Sequence, residues 1–125
     1  MKLATQLMFE GAVQEAVDHW RGAFPDMIVT PFAESEGRMT HGTVEIGGQV
    51  LHLFDSPVSH DFGFTPAMSL LVTCDSVAEV DRLFAHLAAG GSVQMPLDAY
   101  DFSPRFGFVT DKFGVSWQIM LPPAG

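Results

Sequence analysis

One motif order, met twice, constrains this chain more than any other feature. "VQEAVDHW" begins at Val13 and "VAEVDRLF" at Val77, 64 residues later. "GQVLHLF" begins at Gly48 and "GVSWQIM" at Gly114, 66 residues later. The first pair carries apolar residues at helical spacing, and the second alternates like a strand. A shared order and a nearly constant offset describe one structural module written twice, not a short solenoid period.

The elements follow from local patterns. Leu3–Phe9 reads as a strand. Val13, Ala16, Val17, Trp20, Ala23 and Phe24 form one apolar stripe, which predicts a helix over 13–24. Pro25 ends it, because the residue before a proline is pushed out of the helical region. Met27–Ala33 reads as a strand. Met39–Ile46 and Gln49–Phe54 form a hairpin across Gly47-Gly48, where both turn residues can take positive φ. In the second module Ser69–Cys74 is a strand. A helix over 77–89 opens on the capping box Ser76/Glu79 and stops at Gly90-Gly91. Val93–Pro96 reads as a short strand, "LDAYDFSP" as a long loop, and Arg105–Val109 and Val115–Leu121 as the last two strands.

Strand, helix and three strands thus occur twice. The expected fold is α+β: two βαβββ modules, about 1–56 and about 67–121, forming a cupped mixed sheet with the helices on its outer face. At 125 residues the chain fits a single domain.

Composition narrows the function. The chain is 47% apolar and 17% charged, as a globular chain is. A net charge of −9 with six Lys and Arg excludes nucleic acid and anionic membrane as expected partners, since both require a cationic surface. One cysteine, Cys74, excludes an internal disulfide and a multi-cysteine metal site. Its place on the strand puts it on the helical side, as an inert buried thiol. The N-terminal stretch is interrupted by Gln6, Glu10 and Glu15, so it makes neither a signal peptide nor a membrane span, and the cytoplasm is the expected compartment.

Alternate side chains on a strand face opposite ways. Trp117, Ile119 and Leu121 share one face of the last strand, opposite Ser116, Gln118 and Met120. Leu51 and Leu53 oppose Val50, His52 and Phe54. The apolar sets are expected on the helices, the mixed sets on the other face. Under the repeat Gln118 is the counterpart of His52, and Ser69 of Thr5. These four polar residues are therefore expected together on the non-helical face, while Gln6 would point to the helical side. With a two-residue turn His52 lies opposite Thr43, with His41 and Glu45 as diagonal neighbours. A His52–Glu45 contact would hold an imidazolium or orient a general base; the plainer reading is a hydrogen-bonded histidine.

The duplication, together with "FEGAVQEAVDHWRGAFPD", "HGTVEIGGQVLHLFDSP" and "FGFVTDKFGVSWQIM", resembles the vicinal oxygen chelate (glyoxalase/bleomycin resistance/dioxygenase) superfamily, in its PhnB-like, 3-demethylubiquinone methyltransferase-like branch. The resemblance implies a cupped sheet, a homodimer and a small-molecule partner. In metal-dependent members His and Glu hold a divalent ion, and those positions fall here on Thr5, His52, Ser69 and Gln118. Only His52 is a good ligand; an amide oxygen is weak and neutral hydroxyls are poor. No metal or other cofactor is favoured, and His52 with Gln118 would hold a divalent ion were one present. The expected function is small-molecule binding against Thr5, Phe9, His41, His52, Phe54, Ser69 and Gln118, with no catalytic residue assigned. The alternatives are a divalent-metal lyase or isomerase using His52 with Gln118, His41 or Glu45, and a non-catalytic dimeric module.

Other candidates have plainer readings. Arg105, beside Tyr100 and Asp101, could clamp an anionic ligand or form a surface pair with Asp98 or Asp101. "SHD" at 59–61 lies in a mobile polar loop and not in a relay, which assembles from separated elements. Asp111–Gly114 reads as a tight turn. Methyl transfer of the usual kind is not expected, because the glycines mark turns and the parallel alternation it needs is missing.

Overall fold

The computed structural model describes residues 1–124, which fall into two compact units: Met1–Asp61, and a second beginning at Phe62. The first contains β1 (Thr5–Phe9), α1 (Val13–Ala23), β2 (Ile28–Ser35), β3 (Arg38–Ile46) and β4 (Gln49–Asp55). The second contains β5 (Leu70–Thr73), α2 (Val77–Ala88), β6 (Ser92–Tyr100), β7 (Ser103–Thr110) and β8 (Ser116–Leu121). The sheets run β1-β4-β3-β2 and β5-β8-β7-β6. In each, the first strand pairs parallel with the last and the other neighbours pair antiparallel. The duplication is therefore one of topology, and the α+β βαβββ reading holds.

Each helix covers one face of its own sheet. Val13, Ala16, Val17, Trp20 and Ala23 of α1 are buried with Val44, Leu51 and Leu53. Val80, Leu83 and Leu87 of α2 are buried with Val109, Trp117 and Ile119. A Cβ on Gly107 would lie 2.3 Å from the Phe84 ring, so only glycine admits that ring so close to β7. The β3–β4 turn takes φ of 57° and 84° at Gly47 and Gly48, as a two-glycine hairpin turn should.

The ends of the helices differ. Ser76 Oγ accepts from Glu79 N at 3.1 Å, completing the expected cap of α2. On α1 the corresponding work falls to Asp55, at the end of β4: its Oδ1 accepts from Gly11 N at 2.9 Å and Val13 N at 3.2 Å. Three residues, Glu10, Gly11 and Ala12, separate buried Phe9 from Val13, but only Asp75 and Ser76 separate buried Cys74 from Val77. Gly11 takes φ 101°, which lets the longer turn close.

That extra residue corrects the expected faces of β1. Gln6 pairs in register with His52, and Leu71 with Gln118, so the strands are offset by 65 (71 − 6) where the helices are offset by 64. A one-residue step reverses every side chain on a strand. Thr5 and Phe9 therefore share the helical face with Leu51 and Leu53, and Gln6 joins His52. Phe9 is buried and meets Trp20 edge-on, with ring centroids 6.2 Å apart.

Element limits otherwise fall within two residues of expectation, except in β6. That strand runs to Tyr100, through the stretch expected as a loop, with three shifts of register. Pro96 is compatible with it because β6 is an edge strand, where a missing N–H is tolerated.

Candidate functional site

Two sheet faces carry the polar residues of interest, one in each unit. On the first, His52 lies opposite Thr43, and His41 opposite Phe54. The His41 ring stands edge-on to Phe54 at 5.8 Å and to Phe32 at 5.5 Å. Phe32 also reaches the His52 ring, at 6.2 Å. His41, His52 and Phe54 are thus brought together. Among the described residues neither imidazole makes a hydrogen bond or ion pair, and their contacts are with aromatic rings. Glu45 shares the face, in register with Val50 and Ile28, but forms no hydrogen bond or ion pair with His52.

Phe32 is the residue that sequence reasoning missed. The β2–β3 register steps from Pro31/Gly42 to Ala33/His41, leaving Phe32 as an extra, unpaired residue. Such a bulge re-aims a side chain. It carries Phe32 over the two histidines while leaving it 55% exposed. The available signal was Pro31, since proline inside a strand marks an edge or a bulge.

On the second unit's face Gln118 and Ser69 meet as expected: Gln118 Nε2 donates to Ser69 Oγ at 3.1 Å. Phe108 lies opposite Gln118. Arg105 and Tyr100 are placed elsewhere. Arg105 lies on the helical side, where its Nε donates to Asp81 Oδ1 at 2.8 Å; its ion-pair partner is therefore on α2, not Asp98 or Asp101. That hydrogen bond also raises the Arg105 pKa above its ordinary value. Tyr100 OH donates to Pro96 O at 2.6 Å, and its ring stacks on Phe102.

The turn before β8 is structural, as expected. Asp111 is buried, and its carboxylate accepts from Phe113 N (2.9 Å), Val115 N (3.1 Å) and Trp117 Nε1 (2.9 Å). The aspartate and tryptophan of "DKFGVSW" are thus tied together, and Gly114 takes φ 91° between them. In the loop after β4, Ser56 Oγ lies 2.9 Å from His60 Nε2 and also donates to Val58 O at 3.0 Å, a local turn. Among the described residues no three His, Cys, Asp or Glu side chains gather as a metal-ligand group. No helix there is long and apolar enough to cross a membrane.

Residues 1–120 match the family described as 3-demethylubiquinone-9 3-methyltransferase. The chain belongs to that family. It is 41% identical to a solved Bacillus cereus structure titled a putative 3-demethylubiquinone-9 3-methyltransferase, PhnB protein. That match covers 97% of this chain and 99% of the other, with a TM-score of 0.88. It is 33% identical to Protein YjdN of Escherichia coli (strain K12) over 81 residues, which is 65% of this chain and 54% of that protein. The chain spans about half the length of this curated relative. A glyoxylase/bleomycin resistance protein/dioxygenase domain from Frankia sp. EAN1pec shares the fold, with a TM-score of 0.71 at 16% identity over 100% of this chain and 93% of that one. The Bacillus cereus match supports the PhnB-like reading, and the likeness to the Frankia domain is one of fold.

Proposed function

We propose that this family member is a small-molecule-binding protein whose metal-ligand set is degraded. One observation carries the reading. The imidazoles of His41 and His52 lie on the non-helical face of the first sheet, among aromatic rings and without a polar partner among the described residues. Both rings are half-buried, so their nitrogens remain open to a ligand's polar atoms. Apolar and aromatic side chains with a few convergent polar groups are the usual lining of a ligand site. Catalysis is not part of the proposal.

The donor chemistry does not fit a glyoxalase-type metal. Thr5 faces the helix, Ser69 is engaged by Gln118, and of the four positions at which such members hold the ion only His52 is a good ligand, with no carboxylate among them. Methyl transfer, which the family's description names, gains no support from two mixed four-stranded sheets without a Gly-rich turn between parallel strands. A cytoplasmic homodimer belongs to the reading by resemblance to the family.

The test has two arms. Elemental analysis after desalting is expected to give far less than one metal per chain, unchanged in His52→Ala. A thermal-shift screen across chemically diverse metabolites is expected to yield ligands that raise the melting temperature of the native protein but not of His52→Ala. Near-stoichiometric metal that disappears in the variant would restore the lyase or isomerase reading. A screen without a single hit would leave the non-catalytic dimeric module.

A further inference from the structure

We infer that the face built by β2, β3 and β4 takes a flat, conjugated ring carrying a neutral oxygen substituent, with Phe32 as the platform on which it stacks. This rests on the binding reading above and names the ligand class. Three observations converge on it.

The first is Phe32 itself. A bulge places its ring over the histidine side of the sheet, and it remains 55% exposed. Large apolar side chains gain by leaving water, and a planar π-system covers such a ring best, through offset stacking or an edge contact. The second is the pair of imidazoles. They are held against Phe32 and Phe54, without polar partners among the described residues, and an imidazole in its neutral form offers one donor and one acceptor. A hydroxyl or carbonyl oxygen satisfies either.

The third is charge. β1, β2 and β4 carry no Lys or Arg, and the single cation of β3, Arg38, is paired with Glu15 on α1. The face itself carries the Glu45 carboxylate. A phosphate or phosphonate would sit there beside a like charge, with no guanidinium or ammonium to compensate it. The arrangement therefore selects against multiply charged anions as well as against saturated rings.

Three compounds with one skeleton test this: naphthol, naphthyl phosphate and the saturated decahydronaphthol, titrated calorimetrically into the native chain and into Phe32→Ala. Half-exposed Phe32 can be truncated without opening the core, and a matching melting temperature verifies it. Naphthol is expected to bind, and to perturb the His41 and His52 ring resonances in NMR. The other two compounds are each expected to bind about tenfold more weakly, and Phe32→Ala to weaken naphthol by a factor of about three to ten. Equal binding of the phosphate overturns the charge argument, and equal binding of the saturated ring, or indifference to Phe32→Ala, overturns the stacking argument. Failure of naphthol alongside screen hits of another class sinks this inference and leaves the binding reading standing. Silence of both the trio and the broad screen removes both.

Discussion

Gln118 on β8 donates to Ser69, just ahead of β5, across 3.1 Å, joining the second sheet's parallel pair on its non-helical face. Both residues are half-buried, so the bond is shielded from full competition by water. A double-mutant cycle with Gln118→Leu and Ser69→Ala should give a coupling of about 0.5–1.5 kcal/mol in urea unfolding. A coupling near zero would mean that the two side chains act independently.

Asp111 holds the turn before β8 with three N–H donors on one buried carboxylate. Asp111→Ala leaves those donors facing a space without an acceptor. The expected loss is about 2–4 kcal/mol in chemical denaturation, and the Trp117 emission should shift as its indole loses a partner. Asp111→Asn, which keeps an oxygen acceptor, should lose less.

Cys74 supplies a pH prediction. Burial, reinforced by Glu79, pushes its thiol from 9.0 up to about 12. Below pH 9 the thiol is protonated in both folded and unfolded chains, and its contribution to stability is complete. Between pH 9 and about 12 the unfolded chain releases the proton and the folded chain keeps it, so stability falls as pH rises. Cys74→Ala should show a shallower decline over that window in paired unfolding curves. The native thiol should also react with Ellman's reagent at pH 8 far more slowly than the denatured one.

Arg105 is tied to Asp81 on the helical side. Arg105→Met should therefore leave the affinity of any ligand found in the screen unchanged. A large loss of affinity would place the guanidinium in the binding site after all.

Much of the fold was legible because each module obeys its own periodicity. The α1 stripe, the Gly47-Gly48 turn and the Ser76 cap are local signals, and each appears where its residues put it. The opposition of Thr43 and His52 follows from turn length alone. Other features were hidden by non-local causes. The faces of β1 were inferred through the helix offset, and a single added residue at Gly11 reversed them. β6 was hidden by Pro96, which reads as a breaker until the strand is seen to lie at an edge. The partner of Arg105 depends on how α2 crosses β7, which nearby carboxylates in the sequence do not report. Phe32 looked like an ordinary strand residue, although Pro31 beside it carried the hint of a bulge.

The extra residue between Phe9 and Val13 acts as a symmetry breaker. With it, Gln6 beside His52 and Leu71 beside Gln118 remain equivalent in space although their spacing to the helices differs by one residue. The turn absorbs the added residue, so the sheet keeps its register while the helix keeps its own. Transplanting β1 onto the second unit, or β5 onto the first, would have to carry its own turn along or turn its polar face inward.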